Sequence, residues 1–191
     1  MKLHFYGADR CVTGSCHCLE INGKKILVDC GLQQGRDELD NRYLAFAPGN
    51  IDILLVTHAH IDHSGLLPLM VREGFSKPIY CTKATSELLE IMLQDSAHIQ
   101  EMEAQWEAKK YSRRGLKNPP EALYTTEDAL KTAGLLHPVG YHEDFEPAPG
   151  IKVTYYDAGH ILGSGSLRLE VTEDDKTTSI IFSGDIGRPQ A

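Results

Sequence analysis

The sequence predicts an α/β or α+β fold, and three observations carry that prediction. Residues 52–56 (DILLV) are a continuous apolar run, the pattern of a strand buried on both faces. Between residues 82 and 113, Leu88, Leu89, Ile91, Met92, Ile99, Met102 and Trp106 recur at spacings of three, four and seven. That period is helical, and it assigns these side chains to core packing. Residues 151–156 alternate, and Leu167, Leu169 and Val171 alternate with Arg168, Glu170 and Thr172, as half-buried strands do.

The elements follow in order. Residues 3–6 read as a short strand ended by Gly7. Residues 15–21 and 24–29 read as two strands joined by Asn22-Gly23, a strong hairpin signal. In the first of them Cys16 and Cys18 share one face, and His17 and Leu19 the other. Gly31, Gln33, Gln34 and Gly35 form a polar loop. Beyond residue 63, residues 64–71 look like a short helix with Pro68 in its first turn. Residues 77–81 are strand-like. Residues 115–120 break the long helix. Thr125, Thr126, Glu127 and Asp128 resemble a capping box ahead of a short helix to Leu136. Residues 138–150, rich in proline and glycine, read as loop. Residues 173–176 form a polar hairpin tip, and residues 179–182 lead into Ser183-Gly184-Asp185.

Composition narrows the function. The chain has 191 residues, 41% apolar and 24% charged, with a formal net charge of −8. It can bury a core, so it is not wholly disordered. No apolar run approaches the roughly 20 residues of a membrane span, and no secretory signal opens the chain. Net acidity argues against nucleic-acid binding by bulk charge, although a local basic patch remains available. The five cysteines, an odd number, read as reduced thiols in a cytoplasmic protein. Cys11, Cys16, His17 and Cys18 suggest a zinc knuckle, but there is no CxxC pair and no second cluster, so strand packing is the better reading.

One motif dominates the chemistry. His58-Ala59-His60-Ile61-Asp62-His63 puts three histidines and a carboxylate within six residues, directly after a buried strand. On an extended segment residues 58 and 60 project to the same side and can grip one metal ion. If the chain then turns into a helix, Asp62 and His63 swing toward a second position, so the spacing suits two metals. Imidazole and carboxylate suit Zn²⁺, with Mn²⁺ or Fe as alternatives. His160 (DAGHILGS) and Asp185 (SGDIG) stand in a similar context, a polar residue at a strand end beside small residues. Asp185, with two oxygens, is the natural bridge between two cations.

HAHIDH resembles the HxHxDH motif of the metallo-β-lactamase superfamily, and Asp29 in LVDCG, His160 in AGHILGS and Asp185 in SGDIG match its other motifs in order. The flanks GADRCVTGSCHCLEINGKKILVDCG, THAHIDHSGLLP, DAGHILGSGS and FSGDIGRP are similar to the β-CASP branch of RNA-processing nucleases. The resemblance implies an αββα sandwich of two mixed sheets with outer helices, incomplete at its C-terminal end here. It implies that residues 1–191 are the N-terminal part of a metallo-β-lactamase domain, with no β-CASP domain present. It assigns His58, His60 and His160 to a first zinc, Asp62 and His63 to a second, and Asp185 as the bridge. Asp29 would orient the ligand turn. Asp62 would also act catalytically, accepting a proton from water. The late histidine that completes the second zinc's shell in the family is missing.

The leading expectation is therefore a zinc-dependent ribonuclease, a phosphodiesterase with RNA as its partner. Rival expectations are a metallo-hydrolase opening thioesters, lactones or β-lactams, and a metal-bound scaffold without catalysis. Sheet edges could support a homodimer. Lys109, Lys110, Arg113, Arg114 and Lys117 form a basic cluster around Tyr111. It reads either as a solvated helix end or as an RNA contact with Tyr111 stacking on a base.

Overall fold

The apolar run at residues 52–56 does become a doubly buried strand, and the rest of the architecture is arranged around it. The computed structural model describes residues 1–35, 41–173 and 176–188. Its first sheet has six strands in sequence order: β1 (Lys2–Gly7), β2 (Cys16–Ile21), β3 (Lys24–Val28), β4 (Ile53–Leu55), β5 (Ile79–Thr82) and β6 (Leu136–Val139). The first three are antiparallel and the last three run parallel to β3. Asn22 and Gly23 both take positive φ between β2 and β3, the backbone of a tight hairpin turn.

Among the described residues four α-helices follow β4 and β5: α1 (Ile61–Ser64), α2 (Leu67–Arg72), α3 (Lys83–Arg113) and α4 (Thr126–Ala133). The single helix expected over residues 64–71 is two pieces, and Pro68 sits in the first turn of the second. Proline has no N–H to give to a helix continuing from α1. The capping box of α4 forms as expected, with Thr125 and Asp128 bonded reciprocally. That helix stops at Ala133, however, and Leu136 opens β6 instead of closing the helix.

The second sheet is antiparallel, in the order β10 (Lys176–Phe182), β9 (Gly165–Glu173), β8 (Ile151–Asp157), β7 (Asp144–Ala148). Its inner face packs on the first sheet. Ile151, Val153, Tyr155, Leu167, Leu169 and Val171 meet Leu19, Ile21, Ile26, Val28, Ile53 and Leu55. The opposite face of the first sheet, including Cys18, Leu27, Leu54, Ile79 and Cys81, packs on Leu67, Met70, Leu89, Leu93 and Ala97 of the helices. Among the described residues the layers are therefore helix, sheet, sheet. Tyr155 fastens them: its buried hydroxyl donates to the Tyr80 carbonyl at 2.9 Å and the Val56 carbonyl at 3.3 Å.

Two further expectations need correction. Residues 138–150 are not simply loop, because they contain the end of β6 and all of β7. The helical repeat is real but only half of it is core. Leu89 is buried and Leu88 and Met92 partly so, whereas Ile91, Ile99, Met102 and Trp106 are exposed. The 31 residues of α3 span roughly 46 Å at about 1.5 Å per residue. Its buried positions end at Ala97, and none follows in the rest of the helix. Asp174 and Asp175, from the expected 173–176 tip, lie outside the described residues. Among the described residues no helix is long and apolar enough to cross a membrane.

Candidate metal centre

The centre is built where β4, β8 and β10 end. β4 leads into the connecting residues 57–60, and α1 begins immediately afterwards with His60 as its N-cap. Asp62 and His63 thus turn away from the line of His58 and His60, as the spacing requires. β8 ends in the loop carrying His160, and β10 ends just before Asp185.

Main-chain bonds hold the turn. Ser15 N donates to Asp62 O at 2.8 Å, Cys30 N to His63 O at 2.9 Å, and Leu32 N to Ile61 O at 3.0 Å. Such close approach requires glycine at position 31: a Cβ there would stand 1.6 Å from Asp62 O. Gly187 plays the same part for the other loops. Its N–H donates to Ala158 O at 2.9 Å, and an added Cβ would stand 1.6 Å from Gly159 O. The His160 loop is clamped from the far side too. Thr82 and Thr85, at the start of α3, both donate from their hydroxyls to Gly163 O, at 2.6 and 2.8 Å. Ser164 Oγ accepts from His160 N and Ile161 N, at 3.1 and 3.2 Å.

The donor atoms of His58, His60, His160 and Asp185 all lie within 4.8 Å of one another. His60 Nδ1 is 3.1 Å from His58 Nε2 and 3.2 Å from His160 Nε2. Asp185 faces all but His60 of the histidines here: Oδ2 is 3.6 Å from His160 Nε2 and 3.9 Å from His58 Nε2, and Oδ1 is 3.3 Å from His63 Nε2. His63 therefore stands on the other side of Asp185 from His160. Asp62 is on α1 beside it, but its carboxylate is outside the group of four. His58 is completely buried, whereas the Asp185 side chain is 47% exposed, so the centre opens to solvent on the Asp185 side.

Asp29 lies behind the histidines. It is buried and held in the left-handed region at φ 61°, a conformation that costs a non-glycine residue of order 1 kcal/mol. Its carboxylate is fully used. Oδ1 accepts from Thr57 N at 2.8 Å, and Oδ2 accepts from Thr57 Oγ1 at 2.9 Å and Ser15 Oγ at 3.2 Å. Oδ2 also lies 2.8 Å from His63 Nδ1, which leaves His63 Nε2 pointing at Asp185. Thr57 Oγ1 lies 3.0 Å from His58 Nδ1. Ser15 and Thr57 escaped the sequence reading. For Thr57 the available signal was a small hydroxyl beside a motif histidine at the end of a buried strand, where a hydroxyl must find a partner; Ser15 carried no such signal.

The two deep histidines titrate in opposite directions. Burial, aided by neighbouring His63, pulls His58 down to about 4, so it is neutral at pH 7 with a lone pair to give. Burial also acts downward on His63, but the hydrogen bond and charge of Asp29 outweigh it and the net direction is upward.

Residues 9–189 match the Metallo-beta-lactamase superfamily. The chain belongs to that superfamily. Among curated proteins it is similar to Ribonuclease TTHA0252 of Thermus thermophilus, with 35% identity over 98% of this chain and 38% of that protein. It is similar to Transcription termination factor FttA of Methanosarcina mazei, with 34% identity over 90% of this chain and 25% of that protein. Endoribonuclease YSH1 of Saccharomyces cerevisiae is 29% identical over 98% of this chain and 23% of its own length. The chain thus spans well under half the length of these relatives. Among solved structures, the subclass B3 metallo-beta-lactamase MEM-A1, from a soil metagenome, superposes with TM-score 0.55 at 16% identity, over 94% of this chain and 59% of that one. A metallo-β-lactamase domain with this group of imidazoles and a carboxylate is suited to a divalent metal.

Proposed function

We propose that this chain supplies the metal-binding part of a dinuclear zinc ribonuclease of the β-CASP branch, a phosphodiesterase acting in RNA processing or degradation. The observation that carries the reading is the convergence of His58, His60, His160 and Asp185 from three strand ends onto one point. The names of the similar ribonuclease and endoribonuclease support RNA as the substrate. On this reading residues 1–191 are the N-terminal part of the catalytic domain, and a β-CASP domain elsewhere in a longer protein completes the substrate cleft. The unpaired thiols among the described residues fit a reducing cytoplasm.

The donor set fits zinc: neutral imidazole nitrogen and carboxylate oxygen, already gathered and oriented by buried hydrogen bonds. His58, His60 and His160 would hold a first ion, Asp62 and His63 a second, and Asp185 would reach both. When bound, two such ions lower the pKa of water and neutralise charge on a phosphodiester. The chain's own groups do the rest. Asp29 fixes the His63 ring so that Nε2 faces the centre, and Thr57 does the same for His58. Asp62, partly exposed beside the centre, accepts the proton of the attacking water. No covalent nucleophile is needed.

Elemental analysis of the purified chain, with labelled-RNA cleavage on the same sample, tests the reading. We expect about two zinc ions per chain. His60→Ala and Asp185→Ala should each lose metal and cleavage together. Normal metal content with normal turnover in either variant would sink the assignment. A panel of p-nitrophenyl phosphodiester, thioester and nitrocefin substrates should show activity on the phosphodiester alone.

A further inference from the structure

The far end of α3 carries a surface that the metal centre does not explain. Trp106 is 61% exposed, although its helical spacing had assigned it to the core. Lys110 Nζ lies 4.6 Å from the centroid of its ring, within the range of a cation–π contact. A cavity of about 310 Å³ at this end is lined by Trp106, Lys109, Lys110, Arg113 and Arg114. Its walls are one indole and four cations, in a chain whose net charge is −8. Positions 109, 110 and 113 lie three, four and seven residues beyond Trp106 along the helix, spacings that share a face. Tyr111, the aromatic residue suggested by the sequence, is partly buried, so Trp106 is the ring offered to solvent.

A solvated helix end accounts for the basic residues, since cations favour a helix C-terminus. It does not account for a large exposed indole set among them. Cations over a flat aromatic face are what a single-stranded nucleic acid needs: the cations meet phosphates and the ring stacks on a base. We propose that this patch is a docking platform for single-stranded RNA, remote from the metal centre, with Trp106 stacking on a base and Lys109 and Arg113 contacting the backbone. The proposal rests on the ribonuclease reading for the identity of its ligand. From Thr85, beside the His160 loop, to Trp106 is roughly 32 Å of helix. At about 3.4 Å per stacked nucleotide, an RNA needs roughly nine nucleotides to engage both places. The platform therefore favours long substrates over short ones.

Trp106 is the only tryptophan in the sequence, so tryptophan fluorescence, excited at wavelengths where tyrosine does not absorb, reports this patch alone. The 191-residue chain is titrated with 15-nucleotide oligouridine at low and moderate salt. We expect saturable quenching that weakens as salt rises. The double variant Lys109→Glu/Arg113→Glu should weaken binding at least tenfold, measured by anisotropy of labelled RNA, and flatten its salt dependence. Trp106→Ala should weaken it about tenfold and Trp106→Phe should restore most of the loss. Unquenched fluorescence, or unchanged affinity in the double variant, overturns the proposal. Equal quenching by oligoglutamate also overturns it, because the patch would then be an acceptor for acidic protein segments. Hydrolysis of bis(p-nitrophenyl) phosphate by the zinc-loaded chain reads the metal centre separately, and these variants should leave it unchanged. Loss of that hydrolysis with quenching retained would refute the ribonuclease reading and not the platform; the reverse result would refute the platform alone.

Discussion

Thr57 does more than its size suggests. Its hydroxyl donates to Asp29 and lies within 3.4 Å of the rings of both His58 and His63. Thr57→Val keeps the shape and deletes the oxygen, leaving a buried Asp29 oxygen with one donor fewer. Unfolding in urea should show a loss of about 1–3 kcal/mol. Zinc affinity, by competition with a chelating dye, should fall roughly 10- to 100-fold, as it does when the partner that orients a ligand is lost. A variant with unchanged zinc affinity would remove Thr57 from the positioning network. The motif residues themselves were legible because three histidines and an acid in six positions have few structural uses. Ser15, Thr82 and Thr85 were not legible, because a lone hydroxyl carries no periodic or spacing signal and acquires its role only from distant chain.

At the scale of elements, most strands were readable, the outer β1 and β10 among them, but the outer strands β6 and β7 were not. β6 contains Pro138 and β7 contains Pro147, and both strands lie at a sheet edge. Proline is tolerated there because one side of the strand has no ladder to donate to. The residues that argued for loop therefore mark edges instead. The pattern on α3 misled for a related reason: period identifies a helical face but not whether a neighbour exists to cover it. Where neighbours exist, single groups couple the layers. Tyr155→Phe removes the hydroxyl that reaches the ends of β4 and β5, and should cost about 1 kcal/mol in urea unfolding, more if the Val56 and Tyr80 carbonyls stay dry. An unchanged midpoint would mean that water replaces the hydroxyl there.

For the molecule as a whole, the candidate ligands come from both sheets: His58, His60 and His63 follow β4 of the first, and His160 and Asp185 follow strands of the second. Metal bound among them ties the two layers at one end and favours the folded chain by mass action. At about a hundredfold excess over Kd, zinc should raise the thermal midpoint by roughly 5–10 °C, and EDTA should reverse the shift. A midpoint indifferent to both would leave no metal spanning the layers. The same arrangement dictates an order of events during folding. His60 and His160 are 100 residues apart in sequence, and neither the hairpin of β2 and β3 nor the meander of β8 to β10 holds a full set of ligands by itself. In a refolding experiment, metal binding by the full ligand set can therefore happen only after long-range closure of the chain, and its rate is a clock for the moment at which the two sheets meet.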